Sequence, residues 1–360
     1  MKHIFILLAV LSGLLVSCSD SKTSNMILIK DLSPKESHPE WTTLFTDRYE
    51  ITPLETTPEC LVGQIDKIRK FRGDYYILSS NGSSILHFDT NGKFVSVLDK
   101  QGLGPEEYPR IEDFDIYEID GKTEVWISDN QSLKVYDAAD FSYKYKIAYP
   151  FVIHKFKRLE NSHILLVTGQ NEKILTLTDQ KGKILSEYLK KEIPYIMFRP
   201  VQFVSCGSDY LFQLGISNAF VVFNPQTETF RMGRYTNNES YLSEKQLLEL
   251  FQTHDNNFIL EANKGSYINN LITLGDTFWI QTHQNGKNYL TKIKGEQSVS
   301  TEFAYGTTLA TISDTESDNS ILLYITPDQL AETEKDVFDK FGNKITVGIE
   351  DNPYLLEFFE

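Results

Sequence analysis

Cys18 is the side chain in this sequence whose surroundings define a reaction. Lys2 and His3 give a basic start, Ile4 to Val16 is an apolar run, and Leu15-Val16-Ser17-Cys18 follows. That order is a bacterial secretory signal ending in a lipobox, because a small residue before the cysteine suits the signal peptidase and the thiol can accept a diacylglyceryl group. The apolar run falls short of the roughly 20 residues that a bilayer core requires of a spanning helix. Residues 1–17 are therefore expected to be a signal peptide. Residues 18–47 would carry the lipid at Cys18 and a polar tether, in which the Met26-Ile27-Leu28-Ile29 patch can lie along the body of the fold.

A second set of candidate groups is dispersed along the chain. Gln64, Asp66, Asp113, Asp115, His154, Gln202 and Asn269 or its neighbour Asn270 fall near the predicted starts of strands that would face a common axis. One polar group from each of five such strands could bind a calcium ion or a polar ligand at the mouth of a channel. The same groups could equally be solvated by channel water or satisfy strand ends.

No Walker A sequence, HExxH, CxxC or EF-hand loop is present. Gly215-Ile216-Ser217-Asn218-Ala219 lacks the final glycine of a nucleophile elbow and lies between two predicted strands. Glu106 and Glu107 are adjacent, so their carboxylates point apart. No catalytic residue is assigned on these grounds, and a binding protein is expected before an enzyme. The 19 Tyr, 23 Phe and 3 Trp residues could supply a flat surface for sugar rings, although most are needed for packing.

Composition narrows the partners. The formal charge is −15, and one unit more negative once Lys2 leaves with the signal. This balance repels phosphate backbones, so nucleic acid is excluded as a partner. With Cys18 assigned to lipid, Cys60 and Cys206 remain, and their distance in sequence predicts two free thiols in place of a disulfide.

The elements that must position these groups follow from a repeat. Tyr75-Tyr76-Ile77-Leu78, Val125-Trp126-Ile127-Ser128, His163-Ile164-Leu165-Leu166, Tyr210-Leu211-Phe212-Gln213, Thr277-Phe278-Trp279-Ile280 and Ser320-Ile321-Leu322-Leu323 recur roughly every 45 residues, with one longer gap. Most are followed by a second short strand, such as Ile85 to Asp89 or Leu133 to Asp137, and then a turn such as Asp89-Thr90-Asn91-Gly92-Lys93. The pattern predicts an all-β fold over residues 48–360, a six-bladed β-propeller of four-stranded antiparallel blades.

Two short helical insertions interrupt it. Ser243-Glu244-Lys245-Gln246 has the form of a capping box before Leu247, Leu250 and Phe251, and Thr326-Pro327-Asp328 opens a helix expected to carry Leu330, Val337, Phe338 and Phe341 to a stop at Gly342. Pro53 suits an outermost strand. Pairing Tyr49–Leu54 with the terminal Pro353–Phe359 run would close the ring and hide an edge.

Gly102-Leu103-Gly104-Pro105-Glu106-Glu107-Tyr108, Ile111 to Asp115, Val125 to Asn130 and Val135-Tyr136-Asp137 resemble an NHL repeat. With the lipobox and the Asp351-Asn352-Pro353 ending, the chain from about residue 48 onward resembles the NHL-like or TolB-like six-bladed propeller lipoproteins of Bacteroidota, most of which have no established activity. The resemblance implies a structural role for Gly102, Gly104, Pro105, Glu107 and Tyr108 at the seam between blades, and an envelope location. Ser19, which is not acidic, follows Cys18 and predicts the outer membrane, with the domain facing either the periplasm or the surface. The implied function is a ligand- or protein-binding module that takes an envelope protein, glycan or peptide. A calcium-dependent hydrolase or lyase and a structural subunit of an outer-membrane complex are the alternatives.

Overall fold

The computed structural model describes residues 27–30, 35–36, 48–80, 82–168, 171–191, 203–213, 217–237, 239, 241–254, 257–262, 264–284, 286–303, 313–314, 320–332 and 336–359. Cys18, the signal segment and Gln202 lie outside these residues. Strands β1 (Ile27–Lys30), β2 (Lys35–Glu36) and β3 (Tyr49–Pro53) come first. Next, β4 (Ile65–Phe71), β5 (Asp74–Ser79), β6 (Ser84–Phe88) and β7 (Phe94–Leu98) form an antiparallel sheet in sequence order.

A seven-stranded sheet follows, made of β8 (Asp113–Ile119), β9 (Lys122–Ser128), β10 (Asn130–Asp137), β11 (Tyr143–Arg158), β12 (Ile164–Thr168), β13 (Lys173–Thr178) and β14 (Ile184–Lys190). After it come β15 (Val204–Cys206), β16 (Asp209–Gln213), β17 (Ala219–Asn224) and β18 (Thr229–Thr236), then helices α1 (Glu244–Thr253) and α2 (Phe258–Ala262). The chain continues with β19 (Tyr267–Leu274), β20 (Thr277–Gln284), β21 (Lys287–Lys294), β22 (Gln297–Phe303), β23 (Ser313–Asp314), β24 (Ser320–Ile325), α3 (Pro327–Ala331) and β25 (Tyr354–Phe359).

The architecture is all-β with a propeller-like arrangement of sheets. The six recurring runs fall on β5, β9, β12, β16, β20 and β24, which hydrogen bonding distributes over five sheets, β9 and β12 sharing the seven-stranded one. These strands are apolar without alternation because both of their faces are covered: Ile164 to Val167 are all buried. The outer strands β7 and β14 alternate instead, since one face meets solvent.

Hydrophobic clusters lie between the flat faces of successive sheets and between the two halves of the seven-stranded one. Tyr76, Leu78 and Ile85 meet Phe114, Val125 and Ile127, and Trp126 and Leu133 meet Ile164 and Leu166. Leu175 and Leu177 meet Phe212 and Phe223. The last face returns to the first, where Leu322 and Leu355 pack on Ile77 and Phe88. Each such side chain contributes roughly 1.5–3 kcal/mol by leaving water.

The two ends of the chain pair as expected. β3 lies antiparallel to β25, with Pro53 opposite Tyr354 and Tyr49 opposite Phe358, and Pro53 sits on the edge strand of its sheet.

Several expectations are corrected. Two sheets are five-stranded and not purely antiparallel, because β1 adds parallel to β18 and β2 parallel to β22. The Ile27–Ile29 part of the apolar patch thus pairs with the body of the fold, and Ile29 is buried. The helices among the described residues number three. α1 has the expected capping box, with Ser243 Oγ accepting from Gln246 N and Gln246 Oε1 from Ser243 N, but a second helix, α2, follows it.

α3 ends at Ala331 and does not carry Val337, Phe338 or Phe341. There the Asp339 carboxylate takes the backbone N–H groups of Phe341 and Asn343, a side-chain turn that competes with helix. Phe338 and Phe341 are exposed in consequence. Cys60 and Cys206 are both free thiols, Cys60 buried and Cys206 half-buried.

Candidate functional site

Strands from successive parts of the chain touch one another in the interior, β23 with β4, β4 with β8, and β8 with β11 around Phe156. Side chains two residues apart on a strand share a face, so these strands stack charges in tiers. In the upper tier Lys67 Nζ donates to Asp113 Oδ1 at 2.8 Å, and Lys155 Nζ stands 3.6 Å from the same oxygen. In the lower tier Arg69 Nε is 2.9 Å from Asp115 Oδ1, and Lys157 Nζ is 3.2 Å from Asp115 Oδ2. All six side chains are buried. The matching order 67/113/155 and 69/115/157 also shows that the three strands run in the same direction.

Further bonds tighten each tier. Asp113 Oδ2 accepts from Phe156 N at 3.2 Å, and Lys67 Nζ donates to Phe114 O at 2.7 Å. Tyr117 Oη donates to Asp115 Oδ2 and accepts from Arg158 N, each at 2.9 Å. The Lys157 ammonium stands over the rings of Tyr117 and Tyr210.

Burial would push the Asp115 carboxyl up, but Arg69, Lys157, Lys67 and the Ile116 N–H overcome it and hold the group well below the usual carboxylate range. Burial, followed by the Asp115 charge, raises the Tyr117 phenol far above its ordinary value. Burial pushes the Lys155 ammonium down against the pull of Asp113, and the His154 imidazole down as well.

A pH dependence follows from Asp115. A carboxylate whose folded pKa lies below its unfolded value near 3.9 contributes all its stability above about pH 4 and loses it as pH falls towards the folded value. Chemical denaturation at pH 5 and pH 2.5 should show a smaller acid loss in Asp115→Asn than in the wild-type chain. Equal losses would mean that another carboxylate governs the acid limb.

The other sequence candidates are not gathered here. Asp66 Oδ2 accepts from Gly82 N at 2.9 Å and fixes the turn after β5, while its Oδ1 takes Gln64 Nε2 at 3.4 Å. His154 and Asn269 are half-buried and Asn270 is buried. Asp113 and Asp115 do not fit calcium, since each carboxylate already has two cationic neighbours that would repel the ion. Among the described residues no three His, Cys, Asp or Glu side chains are placed to share a metal. Ser217 Oγ accepts from Ala219 N as a turn residue, while Gly215 and Ile216 lie outside the described residues.

Lys67, Arg69, Lys155 and Lys157 are the residues that sequence reasoning missed. Their signal was the i, i+2 repetition of cations on two strands flanking the one that carries Asp113 and Asp115.

The Gly102–Tyr108 segment has the structural role expected of it. Tyr108 is fully buried; its single hydroxyl hydrogen is shared between Ser83 O and Leu98 O, each at 3.0 Å, and the oxygen accepts from Lys100 N at 3.1 Å. Glu107 Oε2 accepts from Gly104 N at 2.8 Å and lies 2.0 Å from where a Cβ on Gly102 would stand, so a side chain there would displace the Glu107 carboxylate from this bond. The tip residue, Leu103, is 92% exposed. Tyr108→Phe leaves these backbone groups without their partner and should cost about 1–3 kcal/mol, measured by urea denaturation. A loss below about 0.5 kcal/mol would mean that water replaces the hydroxyl.

Residues 41–358 match a family described as a domain of unknown function (DUF4934). No curated protein matches the chain. Among solved structures the chain is similar to a protein of Bacteroides fragilis NCTC 9343 described as exported, with a TM-score of 0.73 and 17% identity over 92% of this chain and 99% of that one. A protein of unknown function from Bacteroides caccae shows a TM-score of 0.40 and 11% identity over 67% of this chain and 86% of that one. The first likeness bears on the fold alone, and the second carries no argument.

Proposed function

From the premise that the chain belongs to the DUF4934 family, we propose that it is a non-catalytic binding module held at the cell envelope by lipid on Cys18. The observation that carries this reading is the ionic axis. Its acids and bases are spent on one another, and Asp115 is held ionised well below the range useful to a general acid at neutral pH. Recognition then falls to the connections, of which residues 99–112 are rigidly braced and present an exposed apolar tip.

The sheets are read as six blades. β11 supports this count because its first half pairs with β10 and its second half with β12, with a break in register near Pro150. It would serve as the outer strand of one blade and the inner strand of the next. Two observations support the envelope location: the description of the Bacteroides fragilis neighbour as exported, and the lipobox before Cys18. Among the described residues no helix is long and apolar enough to cross a membrane. Ser19 after Cys18 favours the outer membrane.

The test is a crosslinking pull-down of the tagged full chain from native envelopes, beside a chain of residues 19–360 that cannot be lipidated. Recovery of a reproducible partner by the full chain and its loss from the control supports an anchored binding module. Turnover of an envelope substrate by the purified chain would overturn it.

A further inference from the structure

A cavity distinct from the charged tiers, though bordered by the Tyr210 ring that Lys157 covers, lies at the end of the sheets opposite the 99–112 connection. It is a cleft of about 520 Å³ between the β11–β12 turn, the β15–β16 turn and the β17–β18 turn. This volume lies in the range of small-ligand sites.

Its walls are braced by side chains of the turns themselves. Glu228 Oε1 accepts from Asn161 Nδ2 at 3.1 Å and lies 2.5 Å from His163 Nδ1, which ties the third turn to the first. Asp209 takes Asn224 Nδ2 at 2.6 Å and Arg231 Nη2 at 2.8 Å, and Asn224 Oδ1 takes the backbone N–H groups of Gln226 and Thr227. The spacing of the walls is thereby set before any ligand arrives, which lowers the ordering cost of binding.

Three polar side chains at this cleft take no part in the bracing. Glu160, Ser208 and Gln226 line it and are exposed, and none has a side-chain hydrogen bond among the described residues. They offer an acceptor, a hydroxyl and an amide, while Tyr210 and Pro225 add apolar surface beside them. Groups that both donate and accept, set against a flat apolar patch, complement adjacent hydroxyls on a pyranose ring. The Glu160 carboxylate and the net charge of −15 disfavour an anionic ligand.

We propose that this cleft binds a neutral, hydroxyl-rich ligand, one or two sugar units of a glycan. The inference rests on the binding-module reading and names a ligand class for it.

The test is an array of neutral, acidic and amine-bearing glycans probed with the tagged full chain and with a Glu160→Ala/Gln226→Ala double variant. Both changes remove exposed side chains with no role in packing, and circular dichroism melts would verify folding. A neutral glycan that binds the wild-type chain should then be titrated by calorimetry, with at least a tenfold loss of affinity in the double variant. Absence of any neutral hit, equal affinity in the variant, or hits confined to acidic or amine-bearing glycans would overturn the proposal. A protein partner recovered from envelopes without glycan binding would sink this inference alone and leave the binding-module reading intact.

Discussion

Asp115→Asn should destabilise the protein by about 3–5 kcal/mol, the usual cost of removing one partner from a buried ion pair. The amide keeps the volume but leaves Arg69 and Lys157 with less compensation, at 2.9 and 3.2 Å from a group that no longer carries charge. Tyr117 is affected as well, because its hydroxyl bridges Asp115 to Arg158 N. A midpoint lowered by roughly 5–10 °C is expected for a chain of this length. Asp66→Asn, at a half-buried position of β4, is the control and should change stability by less than about 1 kcal/mol.

Adding Lys157→Met to Asp115→Asn should recover part of the loss, since it withdraws one uncompensated cation. A double-mutant cycle in urea would read the coupling. Additive losses, or an Asp115→Asn cost close to that of Asp66→Asn, would mean that solvent and other groups already neutralise the tier.

That cluster also shows where sequence reasoning stopped. The strands were legible because runs such as Ile164 to Val167 are apolar on both faces and recur at a regular interval. Asp113 and Asp115 were legible as groups at the start of an inner strand. Lys67, Arg69, Lys155 and Lys157 were not, because cations in a chain of alternating polarity usually mark a solvated face, and only the packing of β4, β8 and β11 shows that this face is the axis.

The continuity of β11 was the part not legible. His154 falls near the predicted start of an inner strand and Pro150 marks the change of partner, but no residue among the sixteen shows that one unbroken strand serves both neighbours. At α3 the local chemistry of Asp339 defeated an apolar pattern that continued as far as Phe341. The cleft beside Tyr210 had no signal at all, since it is built by three turns from two separate sheets.

Removing residues 352–360 should have a larger effect than any single substitution, because β25 is what joins the two ends. In its sheet the order is β23-β24-β25-β3, so β24 and β3 meet only through it. Tyr354, Leu355, Leu356 and Phe358 are buried, which amounts to roughly 6–12 kcal/mol at 1.5–3 kcal/mol each. That is comparable with the whole stability of a typical domain, about 5–15 kcal/mol.

Glu357 adds a tie to the next sheet, accepting from Lys70 Nζ at 2.8 Å and from Ser320 Oγ at 2.5 Å. The truncated chain should therefore be recovered without a cooperative thermal transition, and its open edges should drive association. Asn352→Ala removes side-chain ties of this segment without removing the strand. Its Nδ2 donates to Glu55 O at 2.6 Å and Cys60 O at 2.8 Å, and its Oδ1 accepts from Val62 N at 2.8 Å, while β25 itself would remain. That variant should stay folded and lose roughly 2–4 kcal/mol, since three backbone groups lose their partner together. If the truncated chain melted as sharply as the intact one and within a few degrees of it, the cohesion of the ring would reside in the flat faces between sheets, and the pairing of its ends would be incidental.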